Sequence, residues 1–184
     1  MTFFEHLPSL QSDRILLRAL REEDAGDVFA FTSDPLITEF LSWDPHPDQD
    51  TTLGFILSVL RRYQSGQPAQ WAIVLKESQT VVGISGFVDY APEHHRGEIA
   101  FIMSRACQGK GIMTEANRMI LKAGFEMLGL HRVQAKAELD NYASQKTLEK
   151  TGMKKEGALR DFLLVKGRYR TYLYYSILRE EFNP

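Results

Sequence analysis

The 184-residue chain predicts an α+β fold: a mixed, largely antiparallel sheet of about seven strands flanked by helices. Three observations predict it. Residues 70–103 carry three β-rich segments with only short polar connections between them. One long helical pattern stands between two strand patterns, a βαβ crossover. The chain then closes on an aromatic-rich hairpin. At 43% hydrophobic and 25% charged residues, it reads as one domain spanning 1–184 with a core that needs no staples.

Taken in order, Arg14–Leu20 is a short apolar run bounded by charge and reads as a strand. Glu22–Phe31 opens with acids, which suit a helix N-terminus, and Ser33-Asp-Pro35 breaks it. Trp43-Asp-Pro-His-Pro47 is a loop. A second helix runs from about Gln49 to Tyr63, with Leu53, Ile56, Leu57 and Leu60 on one face, and Gly66 and Pro68 end it. Gln70–Lys76 and Thr80–Tyr90 form a hairpin, and Gly97–Met103 extends it to a meander. The long helix covers Gly111–Leu128, with a stripe of Ile112, Met113, Ala116, Ile120, Ala123 and Met127. Arg132–Glu138 alternates as a strand, and Asn141–Thr151 is a short helix that Gly152 ends. Met153–Val165 and Tyr169–Leu178 pair around a Lys166-Gly167 turn.

Twenty-two Lys and Arg against 24 Asp and Glu give a net charge of −2, which argues against a direct nucleic-acid binder. A single cysteine, Cys107, excludes an intrachain disulfide framework. No apolar run approaches the roughly 20 residues of a membrane span, and the start lacks a secretory pattern. The expectation is a cytoplasmic protein without a membrane partner.

The chemistry concentrates where the third meander strand meets the long helix. Gly109 and Gly111 flank Lys110, so the backbone can turn sharply and aim N–H groups at a ligand. The first turn of the helix adds unpaired N–H groups and the positive end of its dipole, a general pyrophosphate site. The same glycines also serve a plain tight connection. A Walker loop would need Ser or Thr after Lys110, and a dinucleotide fingerprint would need a third glycine.

Gln108-Gly-Lys-Gly-Ile-Met113 resembles the Gln/Arg-x-x-Gly-x-Gly/Ala signature of the GNAT superfamily of N-acetyltransferases. Together with Thr114-Glu-Ala116 it is similar to the RimJ/RimL-type branch, which acetylates ribosomal-protein N-termini. A second block, Asp140-Asn-Tyr-Ala-Ser-Gln-Lys-Thr-Leu-Glu-Lys-Thr-Gly-Met153, agrees, as do the Arg14 opening and the closing hairpin. Two positions depart from the pattern: Met113 stands at the final Gly/Ala, and Met153 replaces the usual Phe.

The resemblance implies a sheet splayed at an acetyl-coenzyme A cleft. The pyrophosphate would sit on the backbone from Gln108 and Gly109 through Lys110, Gly111, Ile112 and Met113 to Thr114. The pantetheine arm would follow Phe101, Ile102 and Met103, with Asn141 nearby. Glu98 would act as general base in a partly buried cleft; otherwise it is a solvent-facing strand residue paired with Arg96 or a neighbouring strand. Asp89, His94 and His95 are the rival bases. Ser144 would protonate the leaving thiolate or simply cap its helix, with Tyr142 as the rival acid. No metal is assigned. The acceptor would be a primary amine, such as a ribosomal-protein N-terminus, or alternatively a small molecule such as a polyamine, amino acid or antibiotic, with loops around Trp43 and Tyr90 choosing it; a coenzyme A-binding protein that catalyses nothing is the other alternative. The aromatics Phe31, Phe40, Phe162, Tyr169 and Tyr172 would line the acceptor cleft or serve as packing, and Arg160–Arg170 would meet the 3′-phosphate of coenzyme A, an acidic partner or simply solvent. A homodimer is a further expected partner.

Overall fold

The computed structural model describes residues 2–183. Its sheet has eight strands in the order β1-β2-β3-β4-β5-β6-β8-β7. They are β1 (Leu10–Gln11), β2 (Ile15–Arg18), β3 (Gln70–Leu75), β4 (Val81–Ala91), β5 (Arg96–Met103), β6 (Arg132–Glu138), β7 (Lys154–Val165) and β8 (Arg168–Leu178). The helices are α1 (Ala25–Thr32), α2 (Pro35–Thr38), α3 (Gln49–Gln64), α4 (Ile112–Glu126) and α5 (Tyr142–Lys150). The β3-β4-β5 meander and the parallel β5-α4-β6 crossover stand where the sequence places them.

Four details differ from expectation. The extra strand β1 is two residues long, too short for any periodicity to show. Pro35 starts α2 instead of only breaking α1: it sits in the first turn, where its missing N–H costs nothing, behind Asp34 as N-cap. In α3 the buried positions are Thr52, Ile56, Val59 and Tyr63, one step round from the expected face. The Tyr63 hydroxyl explains the rotation, since it donates to Gln70 O at 2.5 Å and accepts from Leu20 N at 3.2 Å. In α4 the buried stripe ends on Leu121, Gly124 and Phe125, and Met127 is exposed at the C-cap.

The core runs the length of the sheet, with Trp71, Phe87, Ile84 and Ile120 fully buried. Helices α4 and α5 touch each other, and α4 lies along β2, β4, β5 and β6. Helices α1 and α3 pair with each other, and α1 lies on β4. Among the described residues no helix is long and apolar enough to cross a membrane.

At the far edge, the Arg132 guanidinium grips Glu156 with two 2.6 Å hydrogen bonds, and Ser176 Oγ donates a third at 2.6 Å. These bonds hold the Glu156 carboxyl down at about 2. A depressed acid stabilises the fold above its unfolded value near 4.5, and that stability is lost as pH falls through about 2. Glu156 is 44% exposed, so solvent limits the gain to at most about 1 kcal/mol. Glu156→Gln is therefore expected to lower stability at pH 7, with the gap to the parent protein closing between pH 4.5 and 2. Urea unfolding at pH 7 and pH 3 checks this; a gap of constant size would contradict it.

Candidate active site

Strands β5 and β6 pair over only three residue pairs, ending at Glu98 with Gln134. Beyond that point β5 follows β4 to Met103, and β6 follows β8 to Glu138. The facing edges, Ile99–Met103 and Ala135–Glu138, carry no strand partner on that side. A bulge in β4 at Phe87–Asp89 stands opposite the last paired residue. Bulges bend a strand and raise its twist, which turns β5 away from β6 there. Backbone polar groups in the middle of a sheet need partners. An amide-rich arm entering the fork would supply them.

A cleft of about 500 Å³ opens from this fork to the head of α4. Of the expected cofactor residues, Phe101, Ile102, Met103, Gln108, Gly109, Gly111, Met113, Thr114 and Asn141 line it, and so does Ser144. Gly109 and Gly111 have φ of +74° and +77°, the left-handed region that glycine tolerates without strain. Gly111 is the N-cap of α4 and has no side chain to satisfy the helix, so first-turn N–H groups face the cleft. Met113, the departure from the signature, is 4% exposed; its side chain enters the core and its backbone stays at the turn. Lys110 and Ile112 do not line the cleft. The Lys110 side chain is exposed, and the Ile112 side chain is buried in the core, so either could act only through its backbone.

Asn141 caps α5, its Oδ1 accepting from Ser144 N at 3.0 Å. That bond spends the Ser144 amide and leaves its hydroxyl on the cleft wall. Tyr142 is 66% exposed and is not on that wall. Lys146 and Lys150, one and two turns along α5, also line the cleft. The stretch Arg160–Arg170 lies on β7 and β8 instead, where Lys166 Nζ donates to Thr38 O at 2.8 Å and Arg170 pairs with Glu138. Lys146 and Lys150, not that stretch, thus line the cleft. Sequence reasoning also missed Leu36, Ile37 and Leu41, on and just after α2, while Phe40, expected as an acceptor-cleft aromatic or as packing, lines the cleft with them. Asp34-Pro35, an N-cap followed by an N1 proline, was the available signal.

Glu98 stands at the closed end of the fork. A Cβ at Gly97 would lie 2.8 Å from the Phe87 ring, and one at Gly124 of α4 only 2.9 Å from it. Gly97 thus faces α4, and alternation turns Glu98 to the opposite face. Glu98 is 8% exposed, yet it is not a lone carboxylate. Gln134 Nε2 donates to one oxygen at 3.0 Å, and Lys136 Nζ forms a short ion pair with the other. Glu98 thus pairs with the neighbouring strand β6, and it is buried, not solvent-facing. Burial pulls the Lys136 ammonium down, but its hydrogen bond to Glu98, that carboxylate's charge and the Tyr174 and Tyr172 hydroxyls more than offset this, so it lies above its usual value.

Farther along the same face, Glu138 is 3% exposed and its carboxyl is raised by burial, against the pull of Arg170 at 2.9 Å. The Phe162 ring stands edge-on to Tyr172 and Tyr174 at 6.4 and 6.0 Å. Of the rival bases, Asp89 is the β4 neighbour of Glu98 and pairs with Arg96 at 3.4 Å with more than half its side chain exposed, and His94 and His95 are exposed. Tyr90 packs on Phe4, on the face of Gly97, and Phe31 is core. Trp43 stacks on His46 at 4.8 Å, and burial keeps that imidazole below its usual value.

A fork in mid-sheet leading to a glycine turn at a helix head suits an extended, amide-rich ligand that ends in phosphates. The model of the acetyltransferase (GNAT) domain matches residues 14–154, and the chain belongs to this family as an acetyl-CoA-dependent N-acetyltransferase. It is 32% identical over 176 residues to the uncharacterized N-acetyltransferase p20 of Bacillus licheniformis, covering 96% of this chain and 99% of that one. It is 22% identical to the [ribosomal protein uS5]-alanine N-acetyltransferase of Escherichia coli, covering 95% and 93%. A GNAT-family acetyltransferase structure from Bacillus anthracis superposes with a TM-score of 0.85 at 26% identity, covering 94% of this chain and 99% of that one.

Proposed function

We propose that the enzyme transfers acetyl from acetyl-CoA directly to a protein N-terminal α-amine, of the ribosomal-protein alanine kind, in the cytoplasm. The observation that carries this reading is the fork between β5 and β6, where two strand edges stand free beside the glycine turn at the head of α4. The end-to-end similarity to the uS5-alanine enzyme supports the acceptor class.

In this reading the backbone from Gly109 to Thr114 binds the pyrophosphate, and Lys146 and Lys150 add positive charge. The pantetheine arm pairs with Phe101–Met103 beside Asn141, and a free β5 N–H polarises the thioester carbonyl. The acceptor nitrogen attacks that carbon, the C–S bond breaks, and the amine's proton leaves to Glu98. With both its oxygens engaged, Glu98 takes that proton through a water. The Ser144 hydroxyl delivers a proton to the departing thiolate and regains one from solvent water, while Glu98 releases the amine's proton to solvent.

The test is release of free thiol from acetyl-CoA with Ala-initiated peptides, polyamines and free amino acids, with mass spectrometry to locate the acetyl group. The expected result is about tenfold or more higher kcat/KM for the peptides, with acetyl on the α-nitrogen. Preference for a polyamine or amino acid would overturn the acceptor class. Thiol release without acetylated amine would overturn direct transfer.

A further inference from the structure

Two residues of the sequence signature, Arg14 and Glu115, stand 101 positions apart and meet beside the phosphate turn. Arg14 directly precedes β2, and Glu115 lies in the first turn of α4. The guanidinium donates through Nη1 to Lys110 O at 3.1 Å and through Nε to Glu115 Oε2 at 2.8 Å, with Nη2 in short contact with the same oxygen. Ser12 Oγ donates to the other Glu115 oxygen at 2.5 Å. A Cβ added at Gly111 would lie 3.7 Å from Arg14 Nη2, so the cation lies alongside the turn. Three of its five N–H groups are used in these bonds.

The charge logic is specific. A carboxylate in the first turn of a helix suits the helix dipole, but it repels an anion bound at that same helix head. Arg14 cancels that charge. By holding the Lys110 carbonyl, it also fixes the peptide plane between Gly109 and Gly111, whose N–H groups would meet the phosphates.

We propose that Arg14 is a positioning residue for the cofactor's pyrophosphate: anchored by Glu115, it sets the Gly109–Gly111 turn and neutralises the carboxylate beside the anion. The inference rests on the reading that this turn takes the pyrophosphate.

Calorimetry with coenzyme A separates charge cancellation from a plain latch. The proteins are the parent, Arg14→Met, Glu115→Gln and the double variant, each at low and high salt. Arg14→Met is expected to bind about tenfold or more weakly, and Glu115→Gln no more than about threefold. The double variant should bind more tightly than Arg14→Met, because it removes the exposed negative charge. The Arg14→Met deficit should shrink in salt, which screens that repulsion. Turnover of S-acetylpantetheine, which lacks the pyrophosphate, should stay within about twofold of the parent in Arg14→Met, while acetyl-CoA turnover at low concentration falls.

A double variant as weak as Arg14→Met, or equal losses with both thioesters, would overturn the proposal. If Arg14→Met does not fold, Arg14→Lys keeps the charge without the fork: intermediate affinity supports the proposal, and parental affinity overturns the carbonyl clamp. Unchanged affinity in Gly111→Val would instead remove the pyrophosphate site itself. Parental affinity in Arg14→Met with a loss in Gly111→Val removes only the role of Arg14.

Discussion

Glu98→Gln is expected to lower kcat by about a hundredfold to ten-thousandfold at neutral pH, the range a general base contributes. The amide keeps the shape and removes the basic oxygen. Cofactor affinity should barely change, because Glu98 faces away from α4 and does not line the cleft. The loss should shrink as pH rises past about 8, where an α-amine is already mostly unprotonated. The substitution also strips Lys136 of its partner at a site where Glu98 is 8% exposed, so some stability is lost. Thermal unfolding therefore accompanies the pH–rate profile. Superimposable profiles for the two folded proteins would make Glu98 a structural member of the ion pair with Lys136.

Ser144→Ala is expected to lower kcat by about tenfold to a hundredfold with cofactor affinity nearly intact, since a proton donor acts mainly in the transition state. The cap of α5 does not explain such a loss, because it uses the Ser144 amide and the Asn141 side chain, both retained in the variant. Asn141→Ala, by contrast, removes the cap and should cost about 1 kcal/mol of stability. Stopped-flow thiol release compares Ser144→Ala with Tyr142→Phe. Full activity in the first and a crippled second would move the acid to Tyr142, although Tyr142 is 66% exposed.

The legible parts of this molecule are those governed by local rules. Asn141 and Gly152 bracket α5 as N-cap and positive-φ terminus, and the alternating glycines around Lys110 mark the turn. The β5-α4-β6 crossover follows from strand and helix periods alone. What escaped is non-local. Nothing near Glu98 announces Lys136, 38 residues away, and nothing near Glu138 announces Arg170, 32 residues away. The alternation of β6 did place Gln134, Lys136 and Glu138 on one face, but only the parallel register with β5 sets that face beside Glu98. The fork itself arises from a bulge in β4, a third strand, and no feature of β5 or β6 encodes it separately.

The central claim is that the glycine turn at the head of α4 holds the cofactor's pyrophosphate. Its most direct test is calorimetric titration of acetyl-CoA into the parent protein and Gly111→Val. Gly111 has φ of +77°, which a β-branched residue adopts only with strain, and the new side chain would stand beside Arg14 on the turn proposed to meet the phosphates. The account predicts binding weakened by about tenfold or more, roughly 1.4 kcal/mol, in a variant that still unfolds cooperatively. Parental affinity in that folded variant would contradict it.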